Sequence, residues 1–193
     1  MAIYDDQPVE KGHKERELCF IAAEVLEQSK TLLNSLPNEN SFVKESTYVP
    51  KSNIAKHTRH LVDHYRLLFV NLPDNSNIHK GHSSWGVDYD SRDRNVPMET
   101  DKNVAIQEIE KLQFKILSTC IPLSTPVVVR AVIDSGSEEE SEFQSNYGRE
   151  LWFCIHHAIH HHALIKAICI EHGIDIPNSF GVAPSTQKYN QQS

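Results

Sequence analysis

The stretch LWFCIHHAIHHHALIKAI, from Leu151 to Ile168, places five histidines in the most apolar part of the chain. An imidazole is polar, so burying it without a hydrogen-bond partner is unfavourable. A purification tag would be terminal and uninterrupted, whereas this cluster is internal and is broken by Ala158 and Ile159. The fold must therefore supply partners for these rings.

The histidine-rich stretch belongs to one of four segments whose apolar residues recur with the period of an α-helix. These segments cover about residues 12–36, 52–72, 100–118 and 146–172. Gly173 follows the last of them and favours the end of a helix there. Four amphipathic helices of this length predict an all-α fold, an up-down four-helix bundle with long loops. One short β segment is predicted near 126–133, where β-branched residues dominate.

The remaining segments are predicted to be connections. A long polar connection covers 73–97, and loops of this length tend to be functional or disordered. An acidic loop, SGSEEESE, follows the predicted strand, and the tail after Gly173 is too rich in Pro and Ser for a helix. The 193 residues are predicted to form a single domain over 1–193, with an ordered core over about 12–175.

Composition excludes several classes of partner. The net charge is −7 and the Lys and Arg residues are scattered, which argues against nucleic acid and against an anionic membrane surface. The chain has no apolar run long enough to span a membrane, and its charged N-terminus does not resemble a secretory signal. The four cysteines are far apart, which predicts reduced thiols in a cytoplasmic protein. A homodimer is left open.

The spacing of the histidines suggests a metal site. His157 and His161 are four residues apart and lie on one helical face, and two such imidazoles can reach one metal ion. A third ligand from the second helix would complete a set with open coordination positions. From the residues alone, His156 and His160 form a second such pair, and His162 is predicted to be exposed near Lys166. The alternative is that the rings are core residues, each bonded to a backbone carbonyl or a water. The second helix offers three candidates, His57, His60 and His64.

Two motifs resemble the DinB-like (YfiT-type) family of four-helix metalloproteins. SNIAKHTRHLVDHY in the second helix and HHAIHHHALI in the fourth are similar to the histidine motifs of that family, and SxxGREL and DYDxRxR are similar to those of a subgroup. The resemblance covers about residues 15–188. Ala163 and Leu164 depart from the usual Gly-Gln, and Ala55 replaces the usual Gly.

The resemblance implies a ligand set and an activity. It implies one divalent metal ion on His60, His157 and His161. Three nitrogen ligands favour zinc, with nickel or iron as alternatives. It also implies a metal-dependent thiol S-transferase, isomerase or hydrolase, whose partner is a small molecule such as a low-molecular-weight thiol. The competing prediction is a non-catalytic, metal-stabilised bundle that acts as a sensor or an interaction module. A fourth protein ligand from His57, His64 or His156 would favour that reading.

Other polar residues are candidates for supporting roles. Asp63 and Glu150 are candidate catalytic groups that could orient a ring or act as a base, although each could equally form a salt bridge. Asp88, Asp90, Arg92 and Arg94 could form a charged clasp in which the two arginines hold an anionic substrate. A solvated, self-paired loop is the alternative. Cys154 is predicted to be a buried structural thiol, and a soft metal ligand or a nucleophile is the alternative.

A pH dependence also follows from the ligand type. An imidazole must be neutral to bind a metal, and a free histidine titrates near 6.5. The sequence therefore predicts a site that is largely empty near pH 5.

Overall fold

The computed structural model describes residues 12–71, 85–136 and 139–192. Within these residues the chain forms six α-helices, a short 3-10 helix and three β-strands. In chain order they are α1 (His13–Ser35), α2 (Glu39–Val43), α3 (Ile54–Val70), β1 (Trp85–Asp88), the 3-10 helix (Pro97–Glu99), α4 (Lys102–Ser118), β2 (Pro126–Ala131), β3 (Ser141–Asn146), α5 (Tyr147–Glu171) and α6 (Pro184–Asn190). Because a mixed sheet is part of this fold, the prediction of an all-α four-helix bundle is wrong.

The four long helices α1, α3, α4 and α5 lie where the hydrophobic period predicts them. The side chain of Asn53 accepts a hydrogen bond from the backbone of Lys56 at 2.8 Å and so begins α3. Asn146 caps α5 in the same way. Gly173 follows α5 with a φ of +68°, a left-handed conformation that glycine adopts without strain. The tail differs from its prediction, because α6 forms within it.

The three strands form one sheet in the order β1-β2-β3. β1 runs parallel to β2, with Trp85 opposite Val127, and β2 runs antiparallel to β3, with Pro126 opposite Asn146. A parallel pair needs a long crossover, which here contains α4. The sequence predicted β2 but missed both of its neighbours. Part of the predicted connection 73–97 lies outside the described residues.

Trp85 anchors β1 to the helices. Its side chain is buried, and its indole N–H donates to the backbone oxygen of Leu68 at 3.0 Å near the end of α3. The indole also stacks on the ring of Tyr147, with ring centroids 5.4 Å apart, at the start of α5. These contacts fix the start of the four-residue strand β1 beside α3 and α5, so the residues after Asp88 begin close to both helices.

The segment after α5 packs back onto that helix. The ring of Phe180 stacks on His162 with centroids 4.4 Å apart, and Gly181 has a φ of +69°. A Cβ at Gly181 would lie 2.5 Å from the backbone nitrogen of Ala163, so only glycine allows this approach. His162 is fully buried, and its Nε2 is 2.6 Å from the hydroxyl of Ser29. The prediction that His162 is exposed is therefore wrong.

Tyr65 buries a hydroxyl that has no hydrogen-bond partner among the described residues. Its ring is fully buried in the core. Because Phe removes the unpaired group and keeps the ring, Tyr65→Phe is expected to leave the free energy of unfolding unchanged or to raise it by about 1 kcal/mol. Urea denaturation measures the difference.

Tyr89→Phe is the matched control, because the Tyr89 hydroxyl donates to Glu150 at 2.9 Å. The free energy of unfolding of this variant is expected to fall by about 1–2 kcal/mol. Equal losses in both variants would show that the Tyr65 hydroxyl has a favourable interaction in solution.

No helix within the described residues is both long enough and apolar enough to cross a membrane.

Candidate metal centre

Three histidine rings from two helices meet between α3 and α5. The ring centroids of His60 and His161 are 4.4 Å apart, those of His157 and His161 are 4.6 Å apart, and those of His60 and His157 are 5.0 Å apart. One nitrogen from each ring lies within 4.8 Å of the other two. The spacing of four residues along α5 aligns His157 and His161, and the packing of α3 against α5 brings His60 to them.

These three rings are held neutral. Burial, followed by the neighbouring rings, lowers the pKa of His161 to about 2 and the pKa of His60 to about 3. Burial and the ring of His64 lower the pKa of His157 to about 4. Each ring therefore carries one nitrogen lone pair at neutral pH. The Nε2 atom of His157 is buried and has no hydrogen-bond partner among the described residues. In the tautomer in which this nitrogen carries the lone pair, a metal ion would be its partner.

His57 contacts the site from one turn earlier in α3. Its Nδ1 lies 2.8 Å from Nδ1 of His161, and its Nε2 lies 2.6 Å from the hydroxyl of Ser52. One proton arrangement leaves Nε2 of His161 free: Nδ1 of His161 donates to Nδ1 of His57, and Nε2 of His57 donates to Ser52. In that arrangement His57 is the acceptor that fixes the His161 tautomer, a role common beside metal ligands.

The other histidines near the site occupy different positions. His64 is buried, its Nδ1 donates to the backbone oxygen of His60 at 3.0 Å, and its ring lies 3.9 Å from the ring of His157. It supports the site from the side, outside the group of three nitrogens. His156 and His160 are exposed, and His156 stacks on Trp152.

Asp63 lies in α3 and forms ion pairs with two arginines. Its carboxylate pairs with Arg59 at 2.8 Å and with Arg66 at 3.2 Å. The side chain is almost fully buried. The structure therefore places Asp63 in an ion-pair network, and its predicted catalytic role stays untested.

Glu150 is the buried centre of a second network. Its carboxylate is fully buried and accepts hydrogen bonds from Tyr89 at 2.9 Å, from Arg149 at 2.8 Å and from the hydroxyl of Ser145. Tyr89 in turn stacks on His64, with centroids 5.1 Å apart. Glu150 thus reaches the histidines only through intervening rings, and its predicted catalytic role also stays untested.

Cys154 lies beside the Glu150 network. Its thiol is fully buried, and burial raises its pKa well above the ordinary value. The thiol is therefore protonated at neutral pH, which agrees with the structural role predicted for it.

The four residues of the predicted charged clasp have separate partners at the end of β1 and in the loop after it, and their anion-binding role stays a prediction. Asp88 accepts hydrogen bonds from backbone groups of its own turn, and Asp90 accepts one from the backbone of Val132 at 3.0 Å. Arg92 reaches the centre, where its Nη1 lies 2.8 Å from Nδ1 of His60. Arg94 is exposed. Among these four residues, the described contact with one of the three candidate ligands is that of Arg92.

Comparison with known proteins finds a curated relative of the chain. FK506-binding protein 5 from Rhizopus delemar is 38% identical to it over 189 residues. The match covers 94% of this chain and 42% of the relative, so the chain spans less than half the length of that protein. No family model matches the chain, and no solved structure matches it.

This match overturns the resemblance to the DinB-like (YfiT-type) family. The relative's name points to FK506-binding proteins, so the predicted membership is wrong. The two functions predicted from the sequence, a DinB-like metal-dependent transferase or hydrolase and a metal-stabilised sensor bundle, are wrong for the same reason. The match does not bear on whether the histidines bind a metal, nor on where FK506 binds in the relative.

The sequence did not identify two contributors to the site. The Ser52–His57 pair was not separated from the other histidines of the second helix, because a helical wheel gives directions but no partners. Tyr89 was noted only as part of a motif. Its position directly after a buried strand was the available signal, and that strand was not predicted.

Proposed function

We propose that this chain binds one divalent transition-metal ion through His60, His157 and His161. The observation that carries the proposal is the meeting of three neutral imidazoles, one of which has a buried nitrogen without a partner. Zn–N bonds are about 2.0–2.1 Å long, so small side-chain shifts from the present separations are enough for binding.

The ligand set favours particular metals. Imidazole nitrogens suit zinc, nickel and iron, and zinc is the first choice for a three-nitrogen set. Three protein ligands leave at least one coordination position open. Bound metal would supply a Lewis acid at that position. A small-molecule partner at this position stays a prediction.

The direct experiment is a metal titration of the purified full chain after dialysis against a chelator. We expect one zinc or cobalt ion to bind per chain, and X-ray absorption at the metal edge to show three imidazoles. A stoichiometry near zero in folded protein would overturn the proposal, and four imidazoles would show that a further histidine, such as His57 or His64, is a ligand.

His57 gives a second prediction. His57→Leu removes the acceptor for Nδ1 of His161 and is expected to weaken zinc binding about 10- to 100-fold. His57→Gln keeps an oxygen acceptor. Its loss of zinc-binding free energy is expected to be less than half of the loss in His57→Leu. Competition titration with a chromophoric chelator measures both. If both variants lost one imidazole by X-ray absorption, the assignment of His57 as a positioning residue would be wrong.

The pH dependence differs from the expectation for a free histidine. In the folded chain the three rings protonate only near pH 4 or below. Zinc affinity is therefore expected to change by less than about twofold between pH 7 and pH 5.5. The metal-depleted protein is expected to be most stable above about pH 6.5 and to lose stability as the pH falls toward about 4. The reason is that the histidines of the unfolded chain become protonated near pH 6.5, whereas the buried rings of the folded chain stay neutral to lower pH.

Two measurements check these statements. A chelator competition at both pH values gives the zinc affinity, and urea denaturation of the metal-depleted chain gives the stability. A drop in zinc affinity of more than tenfold by pH 5.5 would mean that the rings titrate as free histidines.

FK506 binding is a second candidate, favoured by the name of the curated relative. A cavity of about 560 Å³ lies between α1 and the tail, and its apolar lining includes Leu32, Ile176 and Phe180. Sites for drug-sized molecules have this size and this apolar character. Calorimetric titration with FK506 tests the candidate, and Phe180→Ala should weaken any binding in this cavity. Absence of heat at micromolar concentrations would exclude this candidate for the chain.

The predicted cytoplasmic location is a further proposal. Cys19, Cys154 and Cys169 are buried free thiols, and thiols persist in reducing compartments. Cell fractionation tests it.

A further inference from the structure

Arg92 differs from neighbouring arginines in what its guanidinium contacts. Arg59, Arg66 and Arg149 each form an ion pair with a carboxylate. Arg92 Nη1 instead contacts Nδ1 of His60 at 2.8 Å, and within the described parts of the chain no carboxylate lies at ion-pair distance from it. A half-buried cation therefore rests on a neutral ring of the candidate metal centre.

This contact determines which nitrogen of His60 carries the proton. A guanidinium can only donate hydrogen bonds, so Nδ1 of His60 accepts with its lone pair and the proton is on Nε2. A metal ion also needs a lone pair. If it binds Nδ1, it takes the position of Arg92; if it binds Nε2, the proton moves to Nδ1 and two donors face each other. The Arg92–His60 hydrogen bond is lost in both cases.

Charge acts in the same direction. The guanidinium holds its positive charge 2.8 Å from a nitrogen of His60. A divalent cation bound to that ring would therefore be repelled by Arg92. A carboxylate between the two cations removes this repulsion. One of its oxygens can bind the metal while the other accepts from the planar guanidinium.

The backbone around Arg92 is held in place. Its amide donates to the backbone oxygen of Asp90 at 2.8 Å, and the Asp90 side chain is bonded to Val132 at the end of β2. Only the side chain of Arg92 needs to move in order to leave His60.

We propose that Arg92 competes with the metal ion for His60 and, once displaced, binds a small carboxylate ligand that occupies the open coordination position. This inference rests on the proposed metal site and names the class of ligand that the site takes. It predicts that metal and carboxylate each strengthen the binding of the other, since linkage between two sites is reciprocal.

The test uses the full chain loaded with cobalt(II), whose visible spectrum reports the coordination sphere. Acetate is the probe and acetamide its neutral isostere. Arg92→Gln is expected to tighten cobalt binding about threefold without acetate, because a cation is removed, and to weaken acetate binding to the cobalt form about tenfold. Arg94→Gln makes the same change of charge at an exposed position two residues away and is expected to alter both constants by less than about twofold.

Other results would contradict the metal site, the competition for His60 or the carboxylate ligand. If the wild-type chain binds no cobalt, the proposed metal site itself fails. If cobalt binds but Arg92→Gln weakens it, Arg92 supports His60 as a ligand and the competition is overturned. Equal effects in the two variants, or equal affinity for acetate and acetamide, would show that no carboxylate is held by Arg92.

Discussion

His161→Ala is expected to lower the zinc affinity of the chain on the order of 1,000-fold, the largest single effect predicted at this site. His161 lies between the other two ligands: its ring is 4.4 Å from that of His60 and 4.6 Å from that of His157. Its removal leaves two imidazoles on different helices, which chelate a metal poorly. Competition titration at pH 7 measures the loss.

His156→Ala is the matched control, because His156 lies on the same helix and is exposed. Its zinc affinity should stay within about twofold of the wild type. His162→Ala is less suitable as a control than the sequence suggests, because His162 is buried against Ser29 and its loss would disturb the packing of α1 on α5. Retention of tight zinc binding by His161→Ala would exclude the three-histidine site.

Glu150→Ala is expected to lower the free energy of unfolding by about 3 kcal/mol. The substitution leaves the half-buried hydroxyls of Tyr89 and Ser145 without their acceptor and opens a cavity at the start of α5, where the Glu150 side chain is fully buried. Glu150→Gln keeps the shape of the side chain and one acceptor oxygen, so its free energy of unfolding should fall by about 1 kcal/mol. Urea denaturation at pH 7 compares the variants.

Glu142→Ala provides the reference for an exposed carboxylate. Glu142 pairs with Arg130 at 2.9 Å on the sheet surface, and both side chains are more than half exposed. Such a pair contributes at most about 1 kcal/mol. If Glu150→Ala cost no more than Glu142→Ala, the buried network would contribute nothing to stability beyond that of a surface pair.

The sequence predicts the helices of this fold far better than its sheet. Each long helix carries an apolar stripe over about five turns, a signal that survives without knowledge of its neighbours. β1 has only four residues, of which Trp85 and Val87 face the core. β3, SEFQSN, is largely exposed and has no apolar alternation at all. It is a strand because β2 offers it hydrogen bonds, and pairing of that kind leaves little trace in the composition of the strand.

The candidate site shows the same division. The spacing of His157 and His161 is a local property of one helix, so the sequence predicts their common face. The partner of His57, the burial of His162 and the contact of Arg92 with His60 depend on segments that come from elsewhere in the chain. Phe180 in the tail stacks on His162, and the loop after β1 places Arg92 against His60. A helical wheel shows only the residues of one helix, so it cannot predict contacts with the tail or with the loop after β1.

The family resemblance failed for a different reason. Histidine spacing on amphipathic helices is a short pattern that unrelated helical proteins can share, and fold does not determine function. The match over 94% of the chain compares the identity of every position, so it outweighs agreement at a few motifs.

The sequence separation of the site residues has a consequence for how the chain must be refolded. His57 and His161 are 104 positions apart, so the site exists only after a long loop has closed. The five histidines between 156 and 162 lie within seven residues of one another and can bind a metal while the chain is still unfolded. Zinc present from the start would then bind a denatured species and slow the approach to the native state. Refolding should be fastest when a chelator is present until the helices have docked and zinc is added afterwards.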